Sequence, residues 1–255
     1  MRTENINGHT LVLYNGIDEM PILNYQRYNK YLLIDAGIGP GTEAIDEKIV
    51  IIAKHIKKDD KKSAIDELTN LRLSLFMTQN EISPKLMSLV AMCYSIDGEV
   101  ITDYSDENIK QLLIKLQHSK YSTLIEIFNQ VKKKIETELR GYFPKHFENA
   151  KEKDKIVNII RLLNAKLDFI ETRQDNSASV HALEEKLDAV EKPMIFEGKN
   201  SIEIEYDKQF ETTCLLISQK SKQNPRIMTV LQFYSTLDSV ENQLKAEQRA
   251  YKKHK

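Results

Sequence analysis

Very little punctuates this chain. Only 8 Gly and 6 Pro occur in 255 residues, and Trp is absent, a usage well below that of average globular proteins. A fold of many short strands needs frequent turn residues, so their scarcity favours long helices. Cysteine is as scarce, with Cys93 and Cys214 alone. Each sits in an apolar run (LMSLVAMCYSI and ETTCLLIS), which suits a buried thiol in a reducing compartment better than a disulfide or a reactive nucleophile. No stretch approaches the roughly 18 apolar residues of a membrane helix. The N-terminal MRTENINGHTLVLYNG lacks the uninterrupted apolar centre of a signal peptide. The expectation is a cytoplasmic product with no membrane partner. A formal net charge of −1 gives no field-wide attraction to nucleic acid or anionic lipid, so any basic contact is local.

Catalytic signatures are missing too. The six histidines, at 9, 55, 118, 146, 181 and 254, are scattered singly, with no His-Glu-x-x-His and no Cys-x-x-Cys. No Gly-x-Ser-x-Gly elbow or kinase-like set occurs, and the acids are spread along helix faces as solvated charge. The loop Gly37-Ile38-Gly39-Pro40-Gly41 precedes a helix start, where backbone amides can meet a phosphate. It lacks the Lys-Ser/Thr ending of a phosphate loop and a preceding apolar strand, and reads as a helix connection. The chain is therefore expected to be no enzyme and to hold no cofactor or metal.

What is present is helical periodicity. Asn7-Gly8 between Ile6 and a run of β-formers signals a hairpin at about residues 2 to 14, and Asp97-Gly98 signals another in SIDGEVI. Pro21 suits a first helical turn, Gly37 a helix stop, and Thr42, Ser83 and Ser105 caps. Ile45, Ile49, Ile52 and Ile56, then Ala64, Leu68, Leu71 and Leu75, predict an antiparallel helix pair around KKDDKK. LMSLVAMCY predicts a short, central helix, followed by one carrying Ile109, Leu112, Leu113 and Leu116. Tyr121, Leu124, Phe128, Val131 and Ile135 predict a long helix ending at Gly141 and Pro144. Ile156, Ile160, Leu163, Leu167 and Ile170 predict another with a charged opposite face. The polar RQDNSAS then separates a helical domain, 1–173, from a C-terminal helical segment or subdomain, 180–255. Within the latter, VHALEEKLDAVEK is a short charged helix. MIFEGKNSIEIEY reads either as a hairpin or as the start of a helix from Ser201 to Ser218, and length favours the helix. The fold class is mostly α, a multi-helix bundle with two small β-hairpins.

The final helix, starting near Ile227, carries Val230, Phe233, Leu237, Val240 and Leu244 at consecutive a and d positions of a heptad. Two readings stand side by side: packing inside its own bundle, as short a/d runs in globular helices commonly do, and contact with another subunit or partner. Two basic runs, Lys132 to Lys134 and the tail ending in Lys252, Lys253 and Lys255, are candidates for phosphate or partner contact. Glu136 and Glu138 follow the first run closely, so the tail is the better candidate.

The phrases GHTLVLYNGIDEMPILNYQRYNKYLLIDAGIG, EISPKLMSLV and SIDGEVITDYSDENIKQLLIKL, within roughly the first 140 residues, and MTVLQFY near the last helix resemble virion-associated proteins of tailed phages infecting Bacteroidales, including the crAss-like phages. The resemblance carries no catalytic residues. It implies a structural component of the particle, assembled in the host cytoplasm: a head-to-tail connector or tail ring, cyclic and twelvefold where it sits on a portal, with neighbouring portal or tail ring proteins as partners. A ring requires two different surfaces on each subunit. An assembly chaperone or scaffold, or a nucleic-acid-binding accessory, are the alternatives.

Overall fold

The computed structural model describes residues 1–35, 43–79, 83–116, 119–148, 150–172, 176–187 and 192–253. Gly37, the glycine-proline loop, Thr42, His118, His254 and Lys255 lie outside the described residues. Among those described, eleven α-helices accompany one small antiparallel sheet, the mostly helical architecture that the composition favours.

Both dipeptide signals make turns. Asn7 and Gly8 take φ of 48° and 90°, and Asp97 and Gly98 take 53° and 82°, the doubly positive pair of a type I′ turn. The first hairpin joins β1 (Arg2–Ile6) to β2 (His9–Leu13), and the second joins β3 (Cys93–Ile96) to β4 (Glu99–Val100). The two hairpins are not separate. β2 pairs antiparallel with β3, giving one sheet of order β1-β2-β3-β4, with Leu11, Leu13, Cys93 and Ile96 buried. Asp97 fastens the second turn to β2. Its Oδ1 accepts from Thr10 N at 2.8 Å, its Oδ2 lies 2.7 Å from His9 Nδ1, and its own N–H donates to Thr10 O at 2.7 Å. The His9 ring and the Thr10 amide hold the Asp97 carboxyl below the usual carboxylate range.

This pairing shortens a predicted helix. α4 (Pro84–Ala91) begins after Ser83 as expected but stops at Ala91, because Cys93 and Tyr94 enter β3 instead of adding another turn. Before it come α1 (Ile22–Leu33), α2 (Glu43–Lys57) and α3 (Lys61–Gln79). After it, α5 (Asp106–Lys115) is capped by Ser105, whose side chain accepts from Asn108 N, satisfying one of the free amides of a helix start. α6 (Tyr121–Tyr142) passes through Gly141 and ends before Pro144, which opens the short α7 (Pro144–Phe147). A proline ring disfavours helical backbone in the residue ahead of it, and Phe143 leaves the helix at φ −131°, ψ 55°. α8 (Ala150–Thr172) and α9 (Ser177–Leu187) form a helical hairpin. The segment from Ser201 is a helix, α10 (Ile202–Ser221), followed by a 3-10 turn at Pro225–Ile227 and α11 (Val230–Lys253).

The main core draws on both ends of the chain. Leu11, Tyr28, Leu89 and Phe128 share one apolar cluster with Cys214, Ile217, Val230, Phe233 and Leu237. Three backbone hydrogen bonds tie the approach to α1 to the start of α11: Ile22 N to Met228 O, Val230 N to Met20 O and Leu231 N to Ile17 O, each 2.9 Å. The expected break at RQDNSAS falls between α8 and α9, and the chain beyond it returns to this core. Among the described residues, α8 and α9 supply no member of the cluster.

Where each turn glycine would carry a Cβ there is open space, so Gly8→Ala and Gly98→Ala meet backbone strain alone. Each should cost about 1 kcal/mol, read as a lowered denaturant midpoint. Asp97→Asn keeps the turn but removes the charge. A carboxyl held low in the folded state stabilises above its unfolded pKa, and that contribution fades as pH falls through the folded value. The variant should therefore melt below wild type at pH 7, and the gap should close below about pH 4.

Candidate interaction surface

The seam of the last helix turns inward. Val230, Phe233, Leu237 and Val240 are buried in the chain's own fold, and Leu244 is half-buried. Phe233 stacks on Phe210 at 5.8 Å between ring centroids and meets Tyr234 edge-on at 5.3 Å. Tyr234 in turn packs edge-on against Phe147 at 4.8 Å. Of the two readings of this heptad run, these four side chains make the intramolecular one. The physical reason is the backbone tie at residues 228–231, which sets the first turn of α11 against the start of α1. Lys252 and Lys253 close α11. In the other basic run, Lys132 and Lys134 pair along their own helix with Glu136 at 3.8 Å and Glu138 at 3.9 Å, which leaves residues 132–138 with a net charge of +1.

The reactive side chains have structural partners. Both thiols are free and buried, and burial raises Cys93 to about 12 and Cys214 to about 11, far from the thiolate that a nucleophile needs. His146, Asp238 and Glu241 bring one ligand atom each within 4.8 Å of one another, a set of metal-binding type. The Lys145 ammonium, however, lies 3.5 Å from Asp238 and contacts Glu241, while His146 Nε2 is 2.8 Å from Asp238 Oδ1. Two basic groups thus face two carboxylates, which makes this an ionic staple between α7 and α11.

Apolar surface remains open elsewhere. α9 lies against α8 on the side of Arg161, Asn164, Ala165 and Asp168, with Lys166 paired to Glu184 at 2.8 Å. The seam side of α8 is bare: Ile160, Leu163, Leu167 and Ile170 are 51 % to 62 % exposed, and Ile159 beside them is also exposed. A helix of a globular protein ordinarily turns its apolar stripe to the core; α8 turns it to solvent. Burying the open half of each side chain is worth roughly 1 kcal/mol per residue, so the stripe against a matching surface yields several kcal/mol, on the scale of the cost of association.

α2 and α3 repeat the arrangement. Ile52, Ala64 and Leu71 close a small core between them, with Lys48 3.5 Å from Glu67 across the pair. On one side α3 buries polar residues, Ser63, Glu67, Asn70 and Ser74. Asn70 grips the chain ahead of α10 there, donating from Nδ2 to Met194 O at 2.6 Å and accepting Phe196 N–H at Oδ1 at 3.2 Å. The expected seam residues Ile49, Ile56 and Leu68, together with Ile65, are instead 50 % to 60 % exposed. At about 100° per residue, Ile49 and Ile56 turn from Ile52 in the same sense as Leu68 and Ile65 turn from Leu71. In antiparallel helices equal senses face one side, so the four form one apolar face with an interhelical groove. The a/d spacing of α8 and α11 is alike; no feature of spacing alone says which seam the chain itself covers. Searches of protein-family models, curated proteins and solved structures found no match to the chain.

Truncating the buried seam and charging the open one should separate the two roles. Phe233→Ala should cost about 3–5 kcal/mol of folding stability, and Leu237→Asp should abolish the folded state. Leu163→Asp with Leu167→Asp should leave the unfolding free energy within about 0.5 kcal/mol of wild type per residue, measured by chemical denaturation of dilute protein.

Proposed function

We propose that this chain is a non-catalytic structural protein that forms an oligomeric ring, as a head-to-tail connector or tail component of a phage particle, by packing helices of adjacent subunits. The observation that carries the proposal is the pair of uncovered apolar faces, one on α2–α3 and one on α8. A closed ring of identical subunits needs two different, mutually complementary surfaces on each, and a single chain that leaves two separate helical faces bare meets that requirement. The phage assignment rests on the sequence resemblance. No described helix is long and apolar enough to cross a membrane. Neighbouring portal or tail rings would stack on the same particle axis.

Light scattering and electron micrographs of the purified chain test this directly. The expected result is one discrete oligomer, ring-shaped in projection, and the protein's presence in purified particles. A strict monomer at all concentrations that is also missing from particles would remove the structural role. Rings in solution with no copy in finished particles would point instead to an assembly scaffold.

A further inference from the structure

Resting on the oligomeric reading above, we infer that the α8 stripe of one copy lies in the groove of the α2–α3 face of the next, with α8 running parallel to α2. Shape is the first reason. A helix with a single a/d stripe is built to lie along a groove between two others, and Ile49, Ile56, Ile65 and Leu68 flank such a groove.

Charge is the second reason, and it sets the direction. Along α8, residues 150–161 carry four basic and two acidic side chains, a net of +2, whereas residues 162–172 carry one basic and two acidic, a net of −1. Along the α2–α3 hairpin, residues 43–48 carry three acidic and one basic, a net of −2, and the closing turn at 57–62 carries four basic and two acidic, a net of +2. Opposite signs meet only when the start of α8 lies by the start of α2 and its end lies by the turn. The gradient also runs against the dipole of α8 itself, which favours acids at a helix start and bases at its end. A partner of opposite gradient compensates that arrangement, whereas a second α8 offers at most a net of −1 to the +2 end. The contact is heterologous, so it propagates around a ring rather than closing a twofold pair.

Single-cysteine cross-linking tests the contact. Leu163→Cys on α8 and Leu68→Cys on α3 place reactive thiols on exposed positions, while Cys93 and Cys214 are buried, so wild type is the unreactive control. With a short bismaleimide, a mixture of the two variants should give cross-linked dimers at least tenfold faster than either variant alone. Ile160→Cys with Ile65→Cys should repeat the result. Raising salt from 0.05 to 0.5 M should slow the reaction several-fold, as screening of the charge gradients requires. Efficient self-cross-linking of Leu163→Cys would show α8 pairing with α8 and overturn the proposal. So would closure of a double-cysteine chain within one monomer, or binding of monomers to lipid vesicles through α8. Rings that persist in the Leu163→Asp, Leu167→Asp variant would sink this contact and leave the oligomeric function standing. A chain carrying both Leu163→Cys and Leu68→Cys that cross-links between copies but never past a dimer would do the reverse.

Discussion

The short antiparallel contact between residues 17–22 and 228–231 governs how the two ends of the chain meet in the main core. Its three backbone hydrogen bonds join segments more than two hundred positions apart in sequence, and they bind main chain to main chain, so no side-chain substitution can replace them. With the first turn of α11 fixed beside α1, Val230, Phe233 and Leu237 have only one direction to face, into the cluster that also holds Tyr28, Leu89 and Phe128. The aromatic ladder from Phe210 through Phe233 and Tyr234 to Phe147 and the Lys145 and His146 staple to Asp238 extend that docking along the helix.

Once α11 is committed to the core, the chain's capacity for protein contact passes to the helices that the core does not use. α3 and α8 are inverted relative to the usual surface helix. α3 buries Glu67, Asn70 and Ser74 and exposes Ile65 and Leu68, and α8 meets α9 with Asn164 and Asp168 while exposing Leu163 and Leu167. Exposed apolar stripes on two elements cost solvation free energy in a lone subunit, and covering them recovers it. That difference between a lone and a covered subunit is the driving force that the proposed ring would draw on. The main core closes within one chain, while the apolar faces of α2–α3 and α8 stay exposed in it.

Several polar and thiol side chains serve the fold: the two thiols are buried, His9 and Asp97 fasten a turn, His146 sits in an ionic staple, and Asn70 holds the chain ahead of α10. His9, His146 and Asn70 are each held by a partner from a distant part of the sequence, ties that join separate elements in a chain with few turn residues and no disulfide.

Local order was legible in the sequence because local physics decides it. Asn-Gly and Asp-Gly specify type I′ turns through positive φ at both central residues, Ser105 specifies a cap, apolar spacing of three and four specifies α5 and α6, and length favoured the helix at α10. Periodicity also marked the stripes of α2, α3, α8 and α11. It could not say what each stripe would meet, because an a/d run is equally suited to the chain's own core and to another chain. Only the tertiary structure decided that: the bond between residues 17–22 and 228–231 turned the α11 seam inward, the pairing of β2 with β3 cut α4 short and merged two hairpins into one sheet, and the docking of α9 on the polar side of α8 left the apolar side open. Those outcomes depend on contacts between residues far apart in sequence, whose geometry no local pattern encodes.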